Sequence, residues 1–506
     1  MFNNLKISVI ASTAGQFWAV LMSFAFIPFY VERLGASGYA VIGLAALMQA
    51  GLSIFDNGLH SLMSRKMSGY VGRSLSLHSL SLYLRSSELL MLLAACLWAV
   101  LFVFPMKSIF WSWSHASFVD QSGLGSGWVS SALIALLLVF NSINNFYKSC
   151  LAGLQCQVEL NSVLAIVATL KSVGCAVVLN WRPDIDLYFA WQILSMAVSI
   201  LSLIFICYVR LGLDFARIKP ASFKTVFDHH DVKFGGSLIL TAAASFFILQ
   251  ADKISVASLL SQSDFGYYSF VSTMAAGIAY AVMPIVNVVY PRLCQYSFSG
   301  NRKQFKALFH RASTLIGCLI FAVLMSVTVF AFPLYQVSIQ AQSLMSQQFL
   351  DAFLVLLVGN SILYMQMLPV YARYAEGSTK YWLNYSLLSA VVYVPVQLYA
   401  TFRFATDGAA WSWLIYALIG LVFAVPRLFV GILSGELKQW ISKDLMLPFI
   451  LSAFPVGVIY LLYNSSLLVK SFSLCVAAFG GSVASSAFIS YVVVQFASRR
   501  RHIVNY

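Results

Sequence analysis

A single lysine interrupts one apolar stretch of this sequence. Residues 160–181 carry no charge except Lys171, and the stretch is long enough to cross a bilayer as a helix. A lysine at that depth costs about 2.5–3.5 kcal/mol on insertion scales. It could line a cavity and attract a phosphate or an acidic sugar, or it could pair structurally with a carboxylate such as Asp56 or Asp351. Because its same-face neighbours are small residues, we favour the cavity.

A polar stripe runs along the second apolar stretch, residues 34–55, and just beyond it. Gln49, Ser53, Asp56 and His60 are spaced so that they share one face of a helix. A polar face inside a membrane helix is typical of a helix that lines a wet cavity. We therefore predict that Gln49 and Ser53 contribute to a substrate path. Asp56 could bind a proton or sodium ion, pair with a lysine, or cap its helix, and these roles stay open.

A second group of polar residues closes the fourth apolar stretch. Asn141, Asn144, Asn145 and Lys148 recur at helical spacing within two turns. Such side chains can bond neighbouring helices together or line a path. We predict the path, with Asn141, Asn144 and Lys148 as substrate-binding residues.

Carboxylates that lie directly beside an apolar stretch are candidates for binding a coupling ion. Asp56, Asp252 and Asp351 are the candidates that we select. Asp252 is followed directly by Lys253 near the predicted outer end of its helix, and an interfacial ion pair is the alternative role there.

The composition is that of a membrane protein. Of 506 residues, 60% are hydrophobic and 9% are charged, against about 25% charged in soluble domains. The net charge of +14 fits basic residues gathered in cytoplasmic loops beside anionic lipids, so we predict no nucleic-acid partner. The eight cysteines show no metal-type spacing, and no glycine is followed directly by lysine, which excludes a P-loop. We predict no metal, no cofactor and no catalytic residue.

Fourteen apolar stretches can each hold a spanning helix of about 20 residues. We therefore predict an all-α polytopic membrane protein with about fourteen transmembrane helices. The stretches are 7–31, 34–55, 89–106, 121–147, 160–181, 187–209, 234–251, 265–291, 312–332, 352–372, 381–402, 408–426, 445–469 and 471–498. The longest loops between them are predicted near 61–88, 210–233 and 292–311.

The distribution of basic residues predicts the orientation. With the N-terminus inside, 24 of the 31 Lys and Arg residues fall on the cytoplasmic side and 6 on the other. Because lysine and arginine are retained on the cytoplasmic side, both termini are predicted to be cytoplasmic.

A weak internal repeat divides the chain. Gly38–Tyr39 and Gly266–Tyr267 each open a predicted helix, at an offset of 228 residues, and three further pairs follow at similar offsets. We predict two pseudo-symmetric six-helix lobes with the same topology. The predicted domains are an N-terminal lobe, a cytoplasmic linker, a C-terminal lobe, and two extra transmembrane helices with a basic tail: 1–209, 210–233, 234–430 and 431–506.

Several segments resemble the polysaccharide-export branch, including O-antigen repeat-unit flippases, of the multidrug/oligosaccharidyl-lipid/polysaccharide (MOP) flippase superfamily. They are YVERLGASGYAVIGL, SRKMS, YKSCLAG and FILQADKISVASLLSQSDFGYYSF. The resemblance covers about residues 5–430. It implies a V-shaped bundle of two six-helix lobes around a central, often cationic cavity.

The resemblance also implies a function. It implies transport of a lipid-linked (undecaprenyl-pyrophosphate) oligosaccharide across a bacterial inner membrane, driven by an ion gradient, in O-antigen and lipopolysaccharide synthesis. Membrane lipids are implied partners, and a polysaccharide polymerase is a candidate partner. Lipid II flippases carry cavity-facing arginines in the first helix, whereas this chain has none before Arg33, so lipid II is disfavoured as the substrate.

Three other functions remain as alternatives. A drug or organic-cation antiporter of the same fold would need an acidic cavity, whereas the only charge that we find in mid-helix is positive. A membrane glycosyltransferase or ligase would need clustered polar residues in large outer loops, and the predicted outer loops are short. A scaffold without transport would leave Lys171 and the asparagines before Lys148 without a role.

Overall fold

The computed structural model covers most of the chain. It describes residues 15, 18–19, 21–23, 25–71, 76–113, 127–154, 156–212, 243, 245–337, 347–378, 380–465, 477–489 and 492. Within these ranges the structure describes only the backbone of residues 55–58, 61, 65, 68–69, 101–113, 127–128, 287, 291, 298, 332–337, 347–348, 380 and 465.

The described residues are almost entirely helical and contain no strand. Fourteen helices are labelled here: α1 (Ile27–Val71), α2 (Leu77–Trp113), α3 (Gly127–Gly153), α4 (Gln157–Thr169), α5 (Cys175–Trp181), α6 (Ile185–Leu211), α7 (Ala251–Leu259), α8 (Gln262–Ala276), α9 (Ala279–Phe298), α10 (Arg302–Val337), α11 (Gln347–Ala375), α12 (Lys380–Ile419), α13 (Leu447–Ser465) and α14 (Ala477–Ile489). Wider π-helical turns occupy Leu170–Gly174, Gly420–Ala424 and Trp440–Met446.

The predicted fold class is confirmed. Ten helical segments of the described chain are long and apolar enough to cross a membrane, and described helix occurs in each of the fourteen predicted stretches. The labels differ from the predicted helices because α1 and α12 each contain a sharp bend. Gly35 bends α1 with a φ of 70°, a conformation that glycine adopts without strain. Ala405 bends α12 with a φ of 50°.

The predicted loop at 61–88 is wrong. Helix α1 continues to Val71 and α2 begins at Leu77, so helix covers most of this segment. The prediction ended each helix at its charged residues. The charges of Arg85 and Glu88 instead pair with each other inside α2, which removes the cost of placing them in a helix. The segment near 292–311, for which the sequence also suggests an interfacial helix around Phe305, Leu308 and Phe309, is mostly helix, because α9 runs to Phe298 and α10 begins at Arg302.

The chain divides into two compact units, Met1–Gly266 and Tyr267–Tyr506. In the first unit α3 is central and packs against α1, α2 and α6. Its last residue, Gly153, lies so close to α1 that an added Cβ would stand 2.5 Å from the Ser64 carbonyl oxygen. The core of this part includes Met63, Leu84 and Phe146.

In the second unit α10 is central and packs against α9, α11 and α13. The Phe330 ring of α10 lies between two tyrosines of α13, with ring centroids 5.9 Å from Tyr460 and 5.8 Å from Tyr463. Helix α14 is joined to α13 by a hydrogen bond of 2.7 Å from the Ser486 hydroxyl to the Ser452 carbonyl. The last two helices therefore belong to the same compact unit as α10.

Candidate functional site

Lys171 lies in the π-helical turn Leu170–Gly174, between α4 and α5. A π-turn changes the backbone pairing of a helix, and such turns occur frequently at functional sites. Here the indole Nε1 of Trp191 in α6 donates a hydrogen bond of 3.0 Å to the Leu170 carbonyl. Trp191 thus supplies a hydrogen bond to the backbone carbonyl directly before Lys171.

The same tryptophan explains the glycine in this turn. A Cβ on Gly174 would lie 2.3 Å from a carbon of the Trp191 ring, so the ring lies directly against the glycine backbone. On other sides the turn is held by two aromatic side chains. The Tyr30 hydroxyl donates to the Ser172 carbonyl at 3.5 Å, and the Trp18 indole donates to the Thr169 hydroxyl at 2.8 Å.

A substitution tests this packing. Gly174→Ala should force Trp191 away from the turn and weaken its bond to the Leu170 carbonyl. Overpacking of this kind typically costs about 1–3 kcal/mol. Thermal unfolding in detergent should show a lower Tm than wild type, whereas Gly457→Ala, where an added Cβ meets nothing within 4 Å, should leave the Tm within one or two degrees. Equal Tm values for the two variants would contradict the packing argument.

Lys148 of α3 belongs to the same environment as Lys171. It lies close enough for its charge to act on both Lys171 and His60. Neither lysine forms an ion pair with a carboxylate among the side chains that the structure describes. Lys148 donates a hydrogen bond of 3.3 Å to the Asn145 amide oxygen. We call Lys148, Lys171 and His60 the cationic cluster.

His60 is the third member of this cluster. It is partly buried in α1, and its ring centroid lies 6.3 Å from that of Phe146. Its Nε2 atom is buried and has no hydrogen-bond partner among the described atoms. A cluster of two lysines and a buried imidazole is suited chemically to an anionic group that can accept several hydrogen bonds.

The predicted asparagines have different surroundings. Asn144 is 3% exposed and accepts a hydrogen bond of 2.7 Å from the Ser199 hydroxyl, which joins α3 to α6. Asn141 is also buried, whereas Asn145 contacts Lys148 directly. The contacts of Asn144 are those of a residue that bonds two helices together, and its place in a substrate path stays a prediction.

The predicted polar stripe of α1 is described in part. Gln49 is partly buried, and Ser53 is exposed, with its hydroxyl donating to the Ala50 carbonyl at 2.6 Å. The Asp56 side chain lies outside the described residues. Its roles as an ion site or as a lysine partner therefore stay predictions.

The other two carboxylates proposed for ion coupling lie in different units. Asp252 begins α7 and is 4% exposed. Asp351, in the first turns of α11, is exposed and lines a cavity of about 360 Å³. Asp407 lines the same cavity, together with Trp411. Sequence reasoning missed Asp407 because it stands beside the bend in α12, at an edge of an apolar stretch.

A buried charged group in the first unit was also missed. Glu88 of α2 accepts hydrogen bonds from the Tyr147 hydroxyl of α3 at 2.5 Å and from the Tyr208 hydroxyl of α6 at 3.1 Å. Arg85 donates to its other oxygen at 2.8 Å and lies over the Tyr208 ring. This Glu88 cluster (Arg85, Glu88, Tyr147 and Tyr208) joins three helices. The separation of Arg85 and Glu88 by three residues is the sequence signal that could have revealed it.

Among the described residues no group of three or more His, Cys, Asp or Glu side chains is placed to hold a metal ion.

Comparisons with known proteins extend this description. A family model described as "Polysaccharide biosynthesis protein" matches residues 102–353. No curated protein sequence matches the chain significantly.

Several solved structures share the fold. The lipid II flippase MurJ, in an inward closed conformation, is 13% identical with a TM-score of 0.65, and the match covers 98% of this chain and 99% of that one. An inward-facing multidrug resistance MATE family transporter of the MOP superfamily is 15% identical with a TM-score of 0.59, covering 81% and 94%. The Vibrio cholerae MATE transporter VcmN is 13% identical with a TM-score of 0.55, covering 84% and 96%.

Proposed function

We propose that this chain is a member of the MOP flippase superfamily and translocates a lipid-linked oligosaccharide across a membrane by alternating access. The substrate in this proposal is an undecaprenyl-pyrophosphate-linked repeat unit for a surface polysaccharide such as O-antigen. The proposed location is a bacterial inner membrane, with both termini in the cytoplasm and a polysaccharide polymerase as a partner.

The cationic cluster is the observation that carries this proposal. Lys148 and Lys171 share one environment in a bundle of apolar helices, and neither has a described carboxylate partner. Charges kept at that depth without a partner usually serve function. A pyrophosphate is the anionic part of the proposed substrate, and ammonium groups bind phosphate oxygens by short, charge-assisted hydrogen bonds. Gln49, Ser53, Asn141 and Asn144 are the proposed polar contacts for the sugar.

Proton or sodium coupling completes the proposal. Asp56, Asp252 and Asp351 are the proposed ion-binding residues, because a carboxylate that gains or loses a cation changes the charge of its helix. The family model for polysaccharide biosynthesis supports the substrate class, and the fold shared with transporters supports translocation.

An organic-cation antiporter is the second candidate. The observation that favours it is the cavity of the second unit, which is lined by Asp351, Asp407 and Trp411. Carboxylates and an aromatic ring are the groups that bind organic cations. The cationic cluster would repel such a substrate, and for that reason we rank this function second.

Proteoliposomes with the purified full-length chain test the two candidates. A fluorescent undecaprenyl-pyrophosphate sugar is added with an imposed pH or sodium gradient, and its transfer between leaflets is followed by quenching from outside. The flippase proposal expects transfer well above that of empty liposomes, and gradient-driven efflux of an organic-cation dye should be absent. Dye efflux without lipid transfer would overturn the proposal and select the antiporter.

A further inference from the structure

A second group of charged side chains lies in the second unit, at the beginning of α10. The His310 ring stands between two carboxylates, with Nδ1 2.6 Å from Asp444 Oδ2 and Nε2 3.3 Å from Glu436 Oε2. Lys306, one helical turn before His310, donates to Glu436 at 2.6 Å, and the Thr314 hydroxyl donates to Asp444 at 3.0 Å. We call these five residues the His310 network.

The ring geometry favours one protonation state. Both nitrogens of His310 face carboxylate oxygens, and only the imidazolium ion can donate a hydrogen bond from each. With that proton, the positive charges of Lys306 and His310 equal in number the negative charges of the two carboxylates. Loss of the proton would leave a nitrogen lone pair facing an ionised carboxylate. Because the site is buried, little water could reach it to replace the lost hydrogen bond. The side chain of His310 is 14% exposed and that of Asp444 is 4% exposed.

We propose that the His310 network is a proton-binding site that fastens residues 436–446, the segment leading into α13, to α10. The proton binds at the imidazole, and the resulting imidazolium donates one N–H to Asp444 and the other to Glu436. On release the proton passes to water at the more exposed Glu436. Glu436 and Lys306 are the most accessible members of the network, with side chains 20% and 35% exposed. This inference goes beyond the proposed function and does not depend on the identity of the substrate.

Two further charge effects act on the carboxylates of the network. Lys443, from the same segment as Asp444, adds a positive charge beside that carboxylate. Burial by itself raises the pKa of Glu436, but hydrogen bonds and charge from Lys306 and His310 lower it overall. Because its folded-state pKa is lowered, Glu436 contributes stability above the ordinary carboxyl range and loses it only as the pH falls through its folded pKa. Glu436 is thus ionised in the range where an imidazole titrates.

The fastened segment leads directly into α13. Trp440–Met446 is π-helical, and the Asp444 carbonyl approaches α10 so closely that a Cβ on Gly317 would lie 2.4 Å from it. At the far end α13 is held separately by the Phe330 contacts with Tyr460 and Tyr463. Loss of the proton should therefore loosen 436–446 while α13 stays attached.

Hydrogen exchange of the full-length protein in lipid nanodiscs tests this site. Amide protection of 436–446 is measured by mass spectrometry from pH 5.5 to 8.5 and corrected for intrinsic exchange rates. Wild type should lose protection about tenfold or more as the pH rises across this window, the effect of losing one charge-assisted hydrogen bond. His310→Gln should show lower protection that no longer changes with pH, whereas His78→Gln, at an exposed histidine of α2, should keep the wild-type profile.

A third variant covers the case in which His310→Gln does not fold. Glu436→Gln removes one of the two negative charges that favour the imidazolium, so the midpoint of the protection profile should move to lower pH. A flat wild-type profile, a wild-type profile in His310→Gln, or an unchanged midpoint in Glu436→Gln would each overturn the proposal. Because no substrate is present, these outcomes are independent of the translocation assay.

Discussion

Lys171→Ala is expected to lower translocation of the lipid-linked sugar by about tenfold to a hundredfold. A hydrogen bond to a charged group contributes about 1.5–3 kcal/mol, and the substitution removes the cation proposed to bind the pyrophosphate. The initial rate of leaflet transfer in proteoliposomes, at substrate below saturation, is the measurement. Removal of a charge from the apolar stretch should at the same time leave the Tm unchanged or raise it.

Two controls separate binding from general effects. Lys171→Arg keeps the charge and should retain a larger part of the rate than Lys171→Ala. Its rate should still be below that of wild type, because a guanidinium group is larger than the lysine ammonium group. Lys303→Ala removes an exposed lysine of α10 and should leave the rate near that of wild type. If Lys171→Ala transports at the wild-type rate, the cationic cluster is not the headgroup site.

The pair of lysines can be tested further by a double-mutant cycle. If Lys148 and Lys171 bind one phosphate group together, the loss in Lys148→Ala/Lys171→Ala should differ from the sum of the two single losses by at least about 0.5 kcal/mol. Strict additivity would place the two lysines in separate steps of transport.

The fold class could be predicted from the sequence because a bilayer imposes a simple rule. Each spanning helix needs about 20 apolar residues, and residues 187–209, for example, lie within the observed helix Ile185–Leu211. The rule fails at charged residues that pair with each other. The sequence predicts a loop at Arg85 and Glu88, since each charge alone is costly in a membrane helix. In the structure the two residues pair with each other and Glu88 accepts from two tyrosines, which removes that cost.

The site could be predicted only in part. Lys171 was identifiable from its isolation in an apolar stretch, whereas its π-turn and the tryptophan that supports it could not be inferred. Trp191 stands twenty residues away, and only the fold brings its indole to the Leu170 carbonyl. The His310 network depends on pairs of residues that are more than 120 positions apart, so no local spacing in the sequence indicates it.

The two buried charged groups differ in what they can do. In the Glu88 cluster one carboxylate is surrounded by an arginine and two tyrosines, none of which changes charge near neutral pH. In the His310 network the central group is an imidazole with a carboxylate at each ring nitrogen, and an imidazole can gain or lose a proton. The first group is therefore suited to fixed support of α2, α3 and α6, and the second to a response to protons.

Glu88→Ala is expected to destabilise the first unit severely. The substitution removes the carboxylate that pairs with the largely buried Arg85 and that accepts hydrogen bonds from the Tyr147 and Tyr208 hydroxyls. Breaking a buried ion pair by removing one partner costs about 3–5 kcal/mol. Thermal unfolding in detergent should show a large fall in Tm, and the yield of monodisperse protein should fall with it.

The control and the rescue both come from the same unit. Glu159 pairs with Arg210, whose side chain is 56% exposed, and Glu159→Ala should change stability by only about 0–1 kcal/mol. Replacing both members of the buried pair, as in Arg85→Met/Glu88→Leu, should recover the part of the stability that is lost to the unbalanced charge, whereas the two tyrosine hydroxyls still lose their hydrogen bonds to Glu88. If Glu88→Ala unfolds at the same temperature as Glu159→Ala, the cluster does not hold these helices together.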